Sequence, residues 1–175
     1  MPTIELPPFI QSISGKLGDV VYRTSKSGKT YISKLPQKST KPPSEAQLAQ
    51  WERFKLAHAY AAVAREEPVY AGLAEKRRGS AHHIAFTDWL NRPVIHGVER
   101  RGGHIDIYAS DDVEVTKVNV TITNEEGVTL EQGSANLAHK GWWKYETEVP
   151  GDVLIEVFDR AGNVTRQRVA ASRPD

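Results

Sequence analysis

The apolar residues of this chain change their period at Asn91-Arg92-Pro93, and that change constrains the fold more than any other feature. Before it, apolar side chains recur at helical spacings; after it, they alternate with polar ones. The alternation is clearest where Val118, Val120 and Ile122 are set against Lys117, Asn119, Thr121 and Thr123. Seven β-rich runs are predicted, over about 94–99, 104–109, 113–123, 128–132, 142–149, 153–158 and 164–170. Turn signals separate them: Arg101-Gly102-Gly103, Asn124-Glu125-Glu126-Gly127, Pro150-Gly151-Asp152 and Ala161-Gly162-Asn163. Strands this close together leave no room for helical crossovers, so a parallel sheet is excluded and an antiparallel sandwich is expected.

Upstream of the change, the pattern is helical. Ser44-Glu45-Ala46-Gln47 fits a capping box, in which the serine hydroxyl accepts from the amide three residues on and the glutamine reaches back. A helix is predicted over 45–65, with Leu48, Trp51, Phe54, Leu56, Ala59, Tyr60 and Val63 as its broad apolar face. Its many alanines favour helix and permit close approach of a neighbour. Pro68 opens a second short helix to about residue 78, with Gly79 expected as its C-terminal cap. A third, over 81–91, carries Ile84, Phe86, Trp89 and Leu90.

The first 43 residues differ from both. Pro2, Pro7 and Pro8 predict an extended arm. Val20-Val21-Tyr22-Arg23-Thr24 and Thr30-Tyr31-Ile32-Ser33 flank the turn-like Ser25-Lys26-Ser27-Gly28-Lys29, which predicts a hairpin with Gly28 at positive φ. Pro36 ends its second strand, and a basic linker follows to Pro43. This stretch carries seven Lys/Arg against Glu5 and Asp19, whereas residues 94–175 carry nine basic against fourteen acidic residues; the formal charge of the whole chain is +1. Such a division can steer a basic end towards an acidic partner. With no cysteine, the chain forms no disulfide, thiolate nucleophile or cysteine-ligated metal site. No apolar run reaches the roughly 18 residues of a membrane span. The opening MPTIELPPF lacks the basic start and apolar stretch of a signal peptide, so a cytoplasmic protein, or one released within a particle, is expected.

Two stretches resemble known groups. Ala109-Ser110-Asp111-Asp112-Val113, the following Val115-Thr116-Lys117-Val118, and the closing pair Val153 to Phe158 and Val164 to Val169 around Asp159-Arg160-Ala161-Gly162-Asn163 resemble bacterial immunoglobulin-like domains. That resemblance covers about 94–170 and implies an Ig-like fold. Gly15 to Val21, the Gly28-Lys29-Thr30-Tyr31 strand, the linker from Pro36 to Pro43 and Glu45-Ala46-Gln47-Leu48 are similar to a group of uncharacterised bacterial proteins with a Gly-x-x-Gly-x-Val-Val hairpin. This second resemblance hints at phage-like or surface contexts and transfers no catalytic residues.

Several patterns invite a chemical reading. Ser27-Gly28-Lys29-Thr30 ends like a phosphate-binding loop, but the glycine required five residues before Gly28 is Arg23, and a strand follows where a helix is needed. His82 and His83 project about 100° apart on a helix, although His58 could join one of them across a helix pair. His83 and Asp88 could be drawn into a triad with a serine, yet no nucleophile-elbow pattern is present. Asp111, Asp112, Asp159 and Asn163 at strand ends could offer oxygen ligands to Ca²⁺, or serve as ordinary turn residues. Asn119-Val120-Thr121 and Asn163-Val164-Thr165 match short glycosylation acceptors. Trp143 and Tyr145 share one face of their strand and Trp142 takes the other, where it either packs under the helical region or anchors a partner.

The expectation is an α+β chain: an extended basic arm and β-hairpin over 1–43, a helical region over 44–93, and an Ig-like antiparallel sandwich over 94–175. No active site, metal site or cofactor is assigned. The expected role is noncatalytic assembly into homo-oligomers or filaments, with Tyr22, Arg23, Lys26, Lys29, Tyr31, Lys34 and Trp142 as candidate contacts. Other protein partners, an adhesive or ligand-binding role for the sandwich, and nucleic-acid binding by the basic arm are the alternatives.

Overall fold

A computed structural model describes residues 3–4, 13–35 and 41–171, and the chain divides into two compact units, Met1–Ser44 and Glu45–Asp175. The first is a four-stranded antiparallel sheet of β1 (Thr3–Ile4), β2 (Gly15–Leu17), β3 (Val20–Thr24) and β4 (Thr30–Lys34), in the order β1-β4-β3-β2. The expected hairpin is present, with Gly28 at φ 81° and its N–H donating to the Ser25 carbonyl at 2.9 Å. What was expected as an extended arm instead adds a strand to each side of that hairpin. Gly18 at φ 57° lets the chain reverse between β2 and β3, and the Thr24 hydroxyl donates to the Ile13 carbonyl at 2.9 Å. Pro2, Pro7, Pro8, Pro36 and the first part of the linker lie outside the described residues.

The second unit begins with α1 (Glu45–Ala64), α2 (Pro68–Arg77) and α3 (Ala81–Leu90), with α3 packed against both others. The expected apolar face of α1 is corrected. Ala57, Ala61 and Ala64 are buried, while Leu48, Trp51, Leu56 and Val63 stand exposed. Small side chains let the helices approach closely, so the alanine face is the one that packs. Tyr70, Ile84 and Ala85 complete this small core. At the end of α2 the left-handed position belongs to Arg78, φ 51°, and not to Gly79. The Gly79 N–H donates to the Ala74 carbonyl at 2.9 Å and the Arg78 N–H to Glu75, closing a Schellman motif one residue earlier than expected.

Eight strands follow, not seven: β5 (Val94–Arg101), β6 (His104–Ser110), β7 (Val115–Thr123), β8 (Thr129–Ser134), β9 (Asn136–His139), β10 (Trp142–Glu146), β11 (Asp152–Asp159) and β12 (Val164–Val169). They form two antiparallel sheets, β5-β6-β10-β9 and β12-β11-β7-β8. The chain crosses between sheets after β6, β8 and β10, which reproduces the A-B-E-D and G-F-C-C′ sheets of an immunoglobulin-like sandwich. Ile105, Ile107, Val118, Val120, Ile122, Trp143, Tyr145, Val153, Ile155 and Val157 fill the space between. They sit at alternate positions of β6, β7, β10 and β11, so one face of each strand turns inward. Gly151, at φ 146°, passes so close to β7 that an added Cβ would lie 2.4 Å from the Thr123 carbonyl oxygen.

Candidate functional site

The strand registers sort the candidate contacts of the first unit. Arg23 pairs with Tyr31, and Lys16 lies beside them opposite Val21, so these three share one face. Tyr22 pairs with Ile32 and Val20 with Lys34, which puts Tyr22 and Lys34 on the other face. Lys26 and Lys29 project from the turn. The sheet thus gathers Arg23 with Tyr31 and separates Tyr22 and Lys34 from them. Arg23, Lys26, Lys29 and Lys34 are exposed, and both tyrosines are half-buried. Among the described residues of this unit, only Thr30 is fully buried; its hydroxyl meets that of Thr24 at 3.0 Å. None of Val20, Val21, Tyr22, Tyr31 and Ile32 reaches full burial, and no helix or second sheet of this unit is described that could cover them.

In the second unit Trp142 anchors a row of rings on the outer face of the β5-β6-β10-β9 sheet. Its indole stacks on Tyr108, with ring centroids 5.0 Å apart, and on His139 at 6.0 Å. Tyr108 in turn meets His96 at 4.9 Å. One ring from each strand therefore joins a continuous row: Trp142 is paired across strands with both Tyr108 and His139, and His96 joins from the bulge of β5 beside Gly97, the residue paired with Tyr108. Trp142 does not lie under the helices; it is half-buried between its neighbours, and Tyr108, His96 and His139 are exposed. Trp143 and Tyr145 turn into the core, as their period demanded. The Tyr145 hydroxyl donates to Glu131 at 2.7 Å, and the Thr147 hydroxyl donates to the other Glu131 oxygen at 2.8 Å. These two bonds hold the Glu131 carboxyl below its usual range, while burial and the carboxylate push the Tyr145 phenol up to about 12.

The carboxylates at the strand ends gather where the helices meet the sandwich. Asp111 accepts from the amides of Val113 and Glu114, and Asp159 accepts from the Asn163 amide at 2.7 Å. Both are side-chain-to-backbone turn bonds. The Asn163 amide nitrogen reaches the Asp88 and Asn91 carbonyls, and the Asn91 amide nitrogen reaches Asp112. Arg77 donates to the Asp112 carbonyl at 2.8 Å, and Arg160 bridges Glu67 and Glu114. The helices thus dock on the sandwich of their own chain. Asp88 faces Tyr70 and not His83, so the sketched triad does not assemble. His58 does reach across to His82, but as a stacked ring at 5.4 Å that also meets Phe86. Among the described residues, no three His, Cys, Asp or Glu side chains gather in a metal-holding arrangement, and no helix is long and apolar enough to cross a membrane.

Neither the aromatic row nor the junction network was assembled by sequence reasoning. For the row, the available signal was the shared alternation of His96, Tyr108 and Trp142, which needed the strand order to become a surface.

No family model matches the chain, and no curated protein matches it. Among solved structures, it is similar to the PKD1 domain of Vibrio anguillarum Epp, with 16% identity over 48% of this chain and 98% of that one and a TM-score of 0.30. It is also similar to a hypothetical protein from Pyrococcus horikoshii OT3, with 12% identity over 47% of this chain and 87% of that one and a TM-score of 0.30. The immunoglobulin-like assignment rests on the strand order alone.

Proposed function

We propose that this chain is a noncatalytic structural protein that assembles into homo-oligomeric or filamentous particles, of bacterial or phage-like character, through its N-terminal sheet and its Ig-like sandwich. The observation that carries this reading is that the described residues of the N-terminal unit form one sheet with no second layer among them. A sheet gains stability by burying one face against a second layer, and here only Thr30 is buried among the described residues of that unit. A neighbouring subunit supplies the missing layer. Charge favours a second copy as that neighbour: the described part of the sheet carries Lys16, Arg23, Lys26, Lys29 and Lys34 against Asp19, while residues 94–175 carry fourteen acidic and nine basic residues. Contact between unlike surfaces is heterologous, and such contacts propagate into rings or filaments.

Light scattering and electron microscopy of the purified chain test this. Assembly is expected at low salt, weakening as salt screens the charges over a Debye length of about 10 Å at 0.1 M. Replacing Arg23, Lys26 and Lys29 by glutamate should abolish it. A strictly monomeric chain at low salt, indifferent to that change, refutes assembly. Salt-dependent retardation of DNA or RNA by the same monomer would transfer the basic sheet to nucleic-acid binding.

The row of His96, Tyr108, Trp142 and His139 favours a second reading, a ligand-binding or adhesive module. Overlapping rings present both apolar surface and polar edges, the composition of interface anchors. A glycan and protein array probed with the chain and with Trp142→Ala decides it, since binding through the row must disappear in the variant.

A further inference from the structure

At the junction of helices and sandwich, two buried carboxylate oxygens have no hydrogen-bond donor. Asp88, on α3, is 0% exposed. Its Oδ2 accepts the Tyr70 hydroxyl at 2.5 Å, and Tyr70 meets the Tyr60 hydroxyl at 2.7 Å. Because the Tyr70 proton points to Asp88, Tyr60 is the donor in the second bond. Asp88 Oδ1 has no partner, and neither does the buried Asp111 Oδ1. Asp111 nevertheless acts on the Asp88 carboxyl, by charge and by a side-chain hydrogen bond, and both effects raise it. Asp111 Oδ2 is already occupied by the Val113 and Glu114 amides, at 2.9 and 3.2 Å.

The surroundings are rich in acceptors and poor in donors. Asp159, 4% exposed at the end of β11, adds a third carboxyl. The Asn163 amide nitrogen, with two hydrogens, is approached by three oxygens: the Asp88 carbonyl at 3.1 Å, the Asn91 carbonyl at 2.7 Å and Asp159 Oδ2 at 2.7 Å. Three nearby arginines are engaged elsewhere, Arg160 on Glu67 and Glu114, Arg77 on the Asp112 carbonyl and Arg53 on the Leu90 carbonyl, and Arg92, which lines the same cleft as Asp111, is exposed to solvent. Two interacting carboxylates with buried, orphaned oxygens are untenable unless a cation or a proton satisfies them. Even with Asp159, no three acidic or histidine side chains close a metal-holding set among the described residues, so the proton is the better fit.

We propose that Asp88 is kept as a neutral carboxylic acid whose Oδ1–H donates to Asp111 Oδ1, so that one shared proton clamps the helical layer to the β6–β7 turn and the clamp loosens when that proton leaves. The donors then run in one direction, from Tyr60 to Tyr70 to Asp88 to Asp111, and every orphaned oxygen is satisfied. The titratable groups facing Asp88 are Tyr70 from α2, Tyr60 behind it from α1, Asp111 from the β6–β7 turn and Asp159 from β11. Burial pushes the Asp88 carboxyl up, to about 7; the Tyr70 bond opposes this, and Asp111 and Asp159 reinforce it. In the unfolded chain the same group titrates at about 4. The folded state therefore holds more protons between those values, and stability falls as pH rises through that window.

Carbon-13 NMR of the aspartate carboxyl carbons in the full chain tests this, over pH values from about 4 to 9. One aspartate is expected to titrate near 7 and to vanish from the spectrum of Asp88→Asn. If every aspartate has finished titrating by about pH 5, the ordinary range, the shared proton is refuted. Thermal melting gives an independent arm. The native chain should lose melting temperature across the window, whereas Asp88→Asn, whose amide can donate to Asp111 and accept from Tyr70 at any pH, should not. An unchanged slope in that variant overturns the proposal. So does abolition of the high midpoint by millimolar calcium, which would put a metal ion where the proton is placed; an unchanged midpoint with calcium or a chelator supports the proton. Should the variant fail to fold, the NMR titration of the native chain still decides.

Discussion

The two β-regions of this molecule use similar strands and differ in what covers them. β3 and β4 are as rich in Val, Ile, Tyr and Thr as β7 and β11, and both regions build four-stranded antiparallel sheets. In β11, Val153, Ile155 and Val157 are all buried, because a second sheet lies across them. In β3, Val20, Val21 and Tyr22 are all half-buried. Strand-forming residues suffice to make a ladder, and only a second layer converts that ladder into a core. The contrast is why the sandwich can stand on its own chain while the N-terminal sheet, in our reading, calls for a neighbour.

Four substitutions can break or sharpen the contrast. The largest effect is expected at Ile155, 0% exposed at the centre of the sandwich. Ile155→Ala should destabilise it by about 2–5 kcal/mol in denaturant unfolding, since a buried cavity adds to the lost transfer energy; a loss under about 1 kcal/mol would mean the two layers are not tightly packed. Next is Gly151→Ala, in which the new methyl group would overlap the Thr123 carbonyl while the backbone stays at positive φ. We expect a cost of about 2 kcal/mol or more from the combined clash and strain. Tyr145→Phe removes the hydroxyl from Glu131 at about 1 kcal/mol. It should also move the acid limb of the stability profile. The Glu131 carboxyl sits below its unfolded value, so its contribution is present above that value and lost as pH falls through the lower, folded one. Without the phenol the folded value moves up towards the unfolded one, so the loss should be smaller and complete at higher pH, which acid titration of unfolding in both forms would detect. The smallest effect is expected for Ile32→Ala in the dilute monomer, under about 1 kcal/mol, because its side chain is only half-covered. The same substitution should weaken assembly far more. Equal effects of Ile32→Ala and Ile155→Ala on the isolated monomer would erase the contrast.

Much of the sandwich was legible from alternation alone, since a strand with one buried face writes its period directly into the order of residues. β9 escaped because Asn136-Leu137-Ala138-His139 has little β-character and every one of its residues is exposed, leaving pairing to β10 as its main support. The α1 face was misassigned for the opposite reason. Large apolar residues are conspicuous in a sequence, yet the packed side was decided by how closely α3 could approach, which favoured alanine. Asp88 was noticed only as a partner for His83. Its true partners come from 18 and 23 positions away, Tyr70 by hydrogen bond and Asp111 by charge, and no local pattern encodes a meeting of that kind. Arg23 and Tyr31 were grouped correctly with the hairpin, but the assignment of Tyr22 and Lys34 to the opposite face needed the register.

Trp142 and Trp143 are sequence neighbours that look in opposite directions, one onto the outer ring row and the other, 8% exposed, into the core. Nature has in effect placed two fluorophores back to back across a single sheet. A quencher dissolved in the buffer should reach the first long before the second, and a binder on the outer face should shield the first and leave the second undisturbed. With Trp51 and Trp89 first replaced by phenylalanine, emission from this one dipeptide, with each of its indoles replaced in turn, would separate events at the surface from events in the interior.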